Sequence, residues 1–238
     1  MLFRRWQEEN DTTAIQKDLK RSINYKLMSV NQELMTINQM IIQNSTQKIL
    51  TSILRYVSSI PTIAMLAEDL KMTHVGVWKA LKRLESENIV ILKPIGGKKN
   101  SIYSIYINWE NPLVEKTLNL ALEHEATYQR RWLVNFDDLK NSVDFLILYG
   151  SILVSQQKAN DIDIIGVVSK KGGFNEINSK IEKIQKTQLK KIHAINFSPE
   201  EFREEIKKPN IAFIDALKNG VILFGQDKFI KFIRELKI

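Results

Sequence analysis

Apolar side chains change rhythm along this chain, and those changes divide it. From Ile23 they recur at Leu27, Val30, Leu34, Ile37 and Ile41, with alternating spacings of four and three that make a heptad seam. Asn and Gln are frequent between these positions. Residues 1–44 are read as a helical arm. It either packs on its own chain as an amphipathic helix or pairs two copies as a short coiled coil through residues 23–41.

Between residues 45 and 110 the runs are shorter. Ser45 or Thr46 can cap a helix carrying Ile49, Leu50, Ile53, Leu54 and Val57. Thr62, after Pro61, caps a second helix with Ile63, Leu66, Ala67 and Leu70. Lys71-Met72-Thr73-His74 forms a tight turn, and Thr73 caps a third helix with Val77, Leu81 and Leu84 inward and Trp78 assigned to the core. Two β-rich runs, 89–92 and 101–107, flank a Gly-Gly-Lys-Lys tip and predict a hairpin.

Residues 111–142 read as one long connecting helix, opened by Pro112 and carrying Leu113, Leu118, Leu122, Trp132 and Leu133. From residue 143 to 238 strands and helices alternate. Strands are predicted at 145–149, 162–168, 192–197 and 221–224. Helices carry Ile177, Ile181 and Ile184, then Phe202 and Ile206, then Ile211 to Leu217, and finally Phe229 to Leu236. Ser198-Pro199-Glu200-Glu201 has the residue types of a capped helix start. The fold class is therefore α+β in two domains, a helical and hairpin-bearing N-terminal part and a small mixed-sheet α/β part.

Charge and composition narrow the function classes. The net charge is +8, and residues 45–110 hold nine basic against five acidic side chains, which favours an anionic partner for that segment. With no cysteine, thiolate catalysis, disulfides and zinc-thiolate sites are excluded. The histidines (His74, His124, His193) lack metal-ligand spacing. No apolar run is long enough for a bilayer span, and the first ten residues hold no signal-peptide core; a cytoplasmic protein without a membrane partner is expected.

The chemistry concentrates between two apolar runs. One ends in Tyr149-Gly150-Ser151, and the next begins Asp161-Ile162-Asp163. Residues two apart on a strand share a face, so Asp161 and Asp163 point the same way. Paired carboxylates repel unless a cation sits between them, and Mg²⁺ is the usual ion for oxygen ligands beside phosphate. The small Gly150-Ser151 corner lets backbone N–H groups and a hydroxyl approach phosphate oxygens.

Two family resemblances follow from these motifs. Thr62-Ile-Ala-Met-Leu-Ala-Glu-Asp-Leu70, the turn, and His74 to Ile89 with the hairpin resemble winged helix-turn-helix regulators. The resemblance implies double-stranded DNA as partner, with His74, Lys79, Lys82 and Arg83 facing the major groove and Lys98 and Lys99 at the wing tip meeting phosphates. The pair Gly150-Ser151 and Asp161-x-Asp163, with the tail Ala216 to Gly225, resembles minimal nucleotidyltransferases of the polymerase-beta-like superfamily. That implies a nucleoside triphosphate held at Gly150 and Ser151, Mg²⁺ held by Asp161 and Asp163, and attack of a hydroxyl on the α-phosphorus. Active members add a third carboxylate from a following strand; here that strand reads Lys191 to Phe197, with His193 and Asn196 but no acid.

The main expectation is thus a Mg²⁺-dependent nucleotidyltransferase with a DNA-binding winged helix. It would move a nucleoside monophosphate to a hydroxyl acceptor. The alternative is a DNA-binding transcription regulator whose degenerate transferase domain only binds nucleotide. The missing carboxylate separates the two: catalysis runs on two carboxylates, Glu200 reaches in, the strand alignment is displaced, or turnover is lost.

Overall fold

A computed structural model describes residues 44–95, 102–169 and 173–236. The seam through residues 23–41 and the wing-tip Lys98 and Lys99 lie outside them. The described chain is a mixed α+β structure with a two-stranded and a four-stranded sheet. No helix among the described residues is long and apolar enough to cross a membrane.

The first helices are α1 (Asn44–Arg55), α2 (Ile63–Asp69) and α3 (His74–Ser86). Thr62 and Thr73 cap α2 and α3 as expected, their hydroxyls accepting from the N–H groups of Met65 and Gly76. Lys71 ends α2 in a left-handed conformation, φ 51°, which turns the chain toward α3. Strands β1 (Val90–Ile95) and β2 (Ile102–Ile107) pair antiparallel from Val90↔Ile107 to Ile95↔Ile102, giving the predicted hairpin. A bridge from Thr62 to Ser104 ties the hairpin to the start of α2. Ile49, Ile53, Leu66, Val77, Leu81 and Ile105 form the centre of this part. Trp78, assigned to the core from the sequence, is only half-buried and lies against Tyr103 on β2, ring centroids 5.2 Å apart.

The connecting segment is not one helix. It consists of α4 (Leu113–Thr127), α5 (Arg130–Asn135) and a 3₁₀ turn at Asp137–Leu139. Gln129 leaves helical geometry at ψ 36°. The bend swings Trp132, Phe136 and Leu139, all fully buried, onto a different apolar face from the one α4 covers with Val114, Leu118 and Leu122. Burying those three large side chains outweighs the turn of helix lost at the bend.

The second sheet contains β3 (Phe145–Tyr149), β4 (Asp161–Val167), β5 (Lys191–Phe197) and β6 (Val221–Phe224), in the order β5-β4-β3-β6. β4 is antiparallel to β3 and parallel to β5, and β6 is antiparallel to β3. The connections are α6 (Ser151–Val154), α7 (Gly173–Gln185), α8 (Pro199–Lys207) and α9 (Ile211–Asn219), with α10 (Gln226–Leu236) last. Alternation divides each strand between two cores. Phe145, Ile147, Ile165 and Val167 meet Phe202, Phe213, Phe229 and Phe232 on one face. Leu146, Leu148, Ile162 and Ile164 meet Ile177, Ile181 and Trp132 on the other. Ser198 closes a full capping box with Glu201 at the start of α8, as its residue types predict.

Ser45–Ile238 forms one compact unit. A single apolar cluster runs from Ile49 through Leu118 of α4 to Phe229 of α10. Polar ties cross the same ground: Lys218 donates to Asp69 at 2.6 Å, and Arg234 to Glu115 at 2.6 Å. Arg55 is buried and clamps Glu125 of α4 with its two terminal guanidinium nitrogens. Arg55 is buried while Glu125 is 33% exposed, so truncating this partly buried pair with Arg55→Ala should cost about 1–3 kcal/mol in urea denaturation. The double variant Arg55→Met/Glu125→Gln should recover most of it. A loss within experimental error for Arg55→Ala would contradict the clamp.

Candidate functional site

The strand directions create the site. β3 ends, and β4 and β5 begin, at one edge of the four-stranded sheet, because β3 opposes β4 while β5 runs alongside it. Asp161 and Asp163 stand on the same side of β4 as Ile165 and Val167, as expected from their spacing. Farther along, this face is covered by the phenylalanines of α8, α9 and α10. At its edge the cover ends, leaving the side chains of Asp161 and Asp163 33% and 20% exposed.

His193 completes the arrangement. The parallel register sets it directly beside Asp163. Its Nδ1 lies 3.4 Å from Asp161 Oδ2 and 3.5 Å from Asp163 Oδ1. One ligand atom from each of the three residues falls within 4.8 Å of the others. From the sequence alone His193 reads as a packed or partly exposed histidine and not as a metal ligand. A signal was present: Asp163 is the third residue of β4 and His193 the third of β5, and parallel neighbours that start level pair position by position. Asn196 points elsewhere, donating to Asn178 on α7 at 3.0 Å. Glu201 serves the α8 cap, and Glu200 is exposed and outside the cluster.

Gly150 shapes the other wall. Its φ of +81° is open to glycine and strained for other residues, and a Cβ there would fall 2.4 Å from Asp163 Oδ2. Ser151 follows, exposed, as the first residue of α6. Tyr149 pairs with Asp163 from the β3 side and is half-buried against the core. Burial, then the charge of Asp161, pushes the Asp163 carboxyl above the usual range, while His193 pulls it back. Burial and the two aspartates raise the Tyr149 phenol.

The donor set suits a divalent cation, since the two carboxylates repel and both face solvent in part. Its match to Mg²⁺ is incomplete: two ligands are oxygen and the third is an imidazole nitrogen.

The second set of predicted residues lies on α3. His74, Lys79, Lys82 and Arg83 are all exposed. Lys82 pairs with Glu85 at 2.5 Å and lies over the Trp78 ring, and Arg83 pairs with Glu87 at 3.1 Å. Beside them, His74, Val75 and Trp78 border an apolar groove closed by Ile102 and Tyr103.

No family model and no curated protein matches the sequence. Among solved structures, the chain is similar to Lactococcus lactis ZitR, wild type in complex with DNA, at 26% identity over 48% of this chain and 81% of that one, with a TM-score of 0.27. A second structure, described as a zinc-responsive MarR family member, Lactococcus lactis ZitR, is 17% identical over 54% and 91%, with a TM-score of 0.28. Superpositions this loose do not establish a shared fold.

Gly150→Ala tests the geometry of the aspartate edge. The added Cβ and the left-handed backbone should destabilise the protein by about 1–2 kcal/mol. In ¹H–¹⁵N NMR spectra the amides of Asp163 and His193 should shift and those of α3 should not. Unchanged signals at Asp163 would contradict the close approach.

Proposed function

We propose that the protein is a DNA-binding regulator of winged-helix type, residues 45–110, whose segment 143–238 is a nucleotidyltransferase-like domain that binds nucleotide. The observation that carries the reading is the unit formed by α2, the turn, α3 and the hairpin, with His74, Lys79, Lys82 and Arg83 exposed along α3. A helix presented in this way fits a major groove, and basic side chains release counterions from the phosphates. The positive excess of residues 45–110 supports the same partner. Lys98 and Lys99 would add phosphate contacts from the wing, and residues 23–41 would pair two copies across a two-fold DNA site.

For the second domain, the support is the β3–β4 hairpin. It carries Gly150-Ser151 at its corner and Asp161 and Asp163 on one face, with β5 parallel beside it. A triphosphate would lie against Gly150 and Ser151, and its cation, Mg²⁺ in the resembling family, would be held by Asp161 and Asp163 and would neutralise phosphate charge. Binding without transfer is favoured because β5, the strand from which active members add a third carboxylate, carries no acid and brings His193 beside Asp163 instead. Transfer of a nucleoside monophosphate to a hydroxyl is the second reading, favoured by the part-exposed aspartates.

Fluorescence anisotropy on duplex DNA at two salt concentrations tests the first reading. Lys79→Ala/Arg83→Ala should weaken binding several-fold and reduce the salt slope by about two, since each of the two cations neutralises one phosphate. Absence of binding at low salt would overturn it. Incubation with labelled nucleoside triphosphates and Mg²⁺ should show no transfer. Label transfer that disappears in Asp161→Ala/Asp163→Ala would put the transferase reading first.

A further inference from the structure

We infer that Asp161, Asp163 and His193 form a three-ligand site selecting a divalent first-row transition ion, such as Mn²⁺ or Co²⁺, over Mg²⁺. The inference rests on reading this edge of the sheet as a cation and nucleotide site, and it changes which cation belongs there. Three observations carry it.

The first is the donor set. His193 Nδ1 faces both carboxylates, at 3.4 and 3.5 Å, and one atom from each residue lies within a 4.8 Å cluster. Mg²⁺ sheds water reluctantly and prefers an all-oxygen octahedron. An imidazole nitrogen favours the later divalent ions, whose affinity for nitrogen-bearing sites rises from Mn²⁺ through Co²⁺.

The second is rigidity. All three ligands sit on neighbouring strands joined in register, with Asp163 opposite His193 on one side and Tyr149 on the other. Buried Ile162, Ile164 and Ile192 anchor those strands. The ligands are thus held by the sheet rather than by a loop, which makes the choice of ligand atom matter.

The third is access. The three side chains are part exposed, and Gly150 leaves open the space that any larger residue would fill against Asp163. Coordination positions therefore remain for water or for phosphate oxygens.

The test uses the full chain without nucleotide. Loss of the free Mn²⁺ electron paramagnetic resonance signal reports Mn²⁺ binding, and Mg²⁺ is added as competitor. Mn²⁺ should bind at least about tenfold more tightly than Mg²⁺. His193→Ala should weaken Mn²⁺ by about tenfold, and His193→Asp should narrow the preference by a similar factor as Mg²⁺ gains. On Co²⁺ addition the imidazole nitrogen signals of His193 should shift in ¹⁵N-histidine-labelled wild-type protein, a readout that needs no variant to fold. Equal affinity for the two ions, a preference unchanged in His193→Ala, or His193 signals unmoved by Co²⁺ would each overturn the inference. ATP titration is read separately. Mn²⁺ binding through His193 without ATP binding overturns the nucleotide reading alone, whereas ATP binding with Mg²⁺ that ignores His193 overturns this inference alone.

Discussion

The register of β4 between its two neighbours is the constraint on which the site depends. Side chains alternate along a strand, so a slip of one residue would send Asp161 and Asp163 into the core and bring Ile162 and Ile164 to the surface. The slip is prevented from both sides. Ile162 and Ile164 are buried under α7 and the Trp132 segment, while Ile165 and Val167 are buried under the phenylalanines of α8 to α10. The same two cores that stabilise the sheet therefore aim the carboxylates. Asp163 gains Tyr149 on its β3 side and His193 on its β5 side as a consequence of pairing.

A second consequence concerns the two candidate regions, α3 and the aspartate edge. The helices that present the basic residues of α3 rest on the cluster that α4 extends to the phenylalanine face of the sheet. Asp69, at the end of α2, accepts from Lys218 near the end of α9, and Tyr56 hydrogen-bonds to the same aspartate. Lys218 also lies over the Tyr56 ring. The ties thus join the last turn of α2 to a helix that precedes β6. Arg55 and Glu125 make a similar connection between α1 and α4. These are short, partly buried contacts, and they fall where the two segments meet.

How much of this could be read from the chain differs by feature. Local signals were reliable where one short stretch decides the outcome. The threonine caps, the capping box at Ser198, the hairpin and the shared face of Asp161 and Asp163 need only neighbours within a few residues. The bend at Gln129 was hidden because no Gly or Pro marks it; it exists to bring Trp132 and Phe136 to another face, which is a property of the packed sheet. Trp78 looked like core by its bulk, but the hairpin offers it only one side, against Tyr103. The placement of His193 beside the aspartates carries no such local signal. Its partners lie some thirty residues earlier, and only the parallel pairing of β5 with β4 sets them together. The resemblance to nucleotidyltransferases directs attention to a carboxylate on this strand, and the strand carries a histidine instead.

A crystal structure grown with Mn²⁺ and recorded near the manganese absorption edge tests whether Asp161, Asp163 and His193 hold one cation together. One anomalous peak is expected at the edge of the sheet, bonded to a carboxylate oxygen of each aspartate and to Nδ1 of His193. A peak held by the aspartates with the His193 ring turned away, or no peak at this edge, would contradict it.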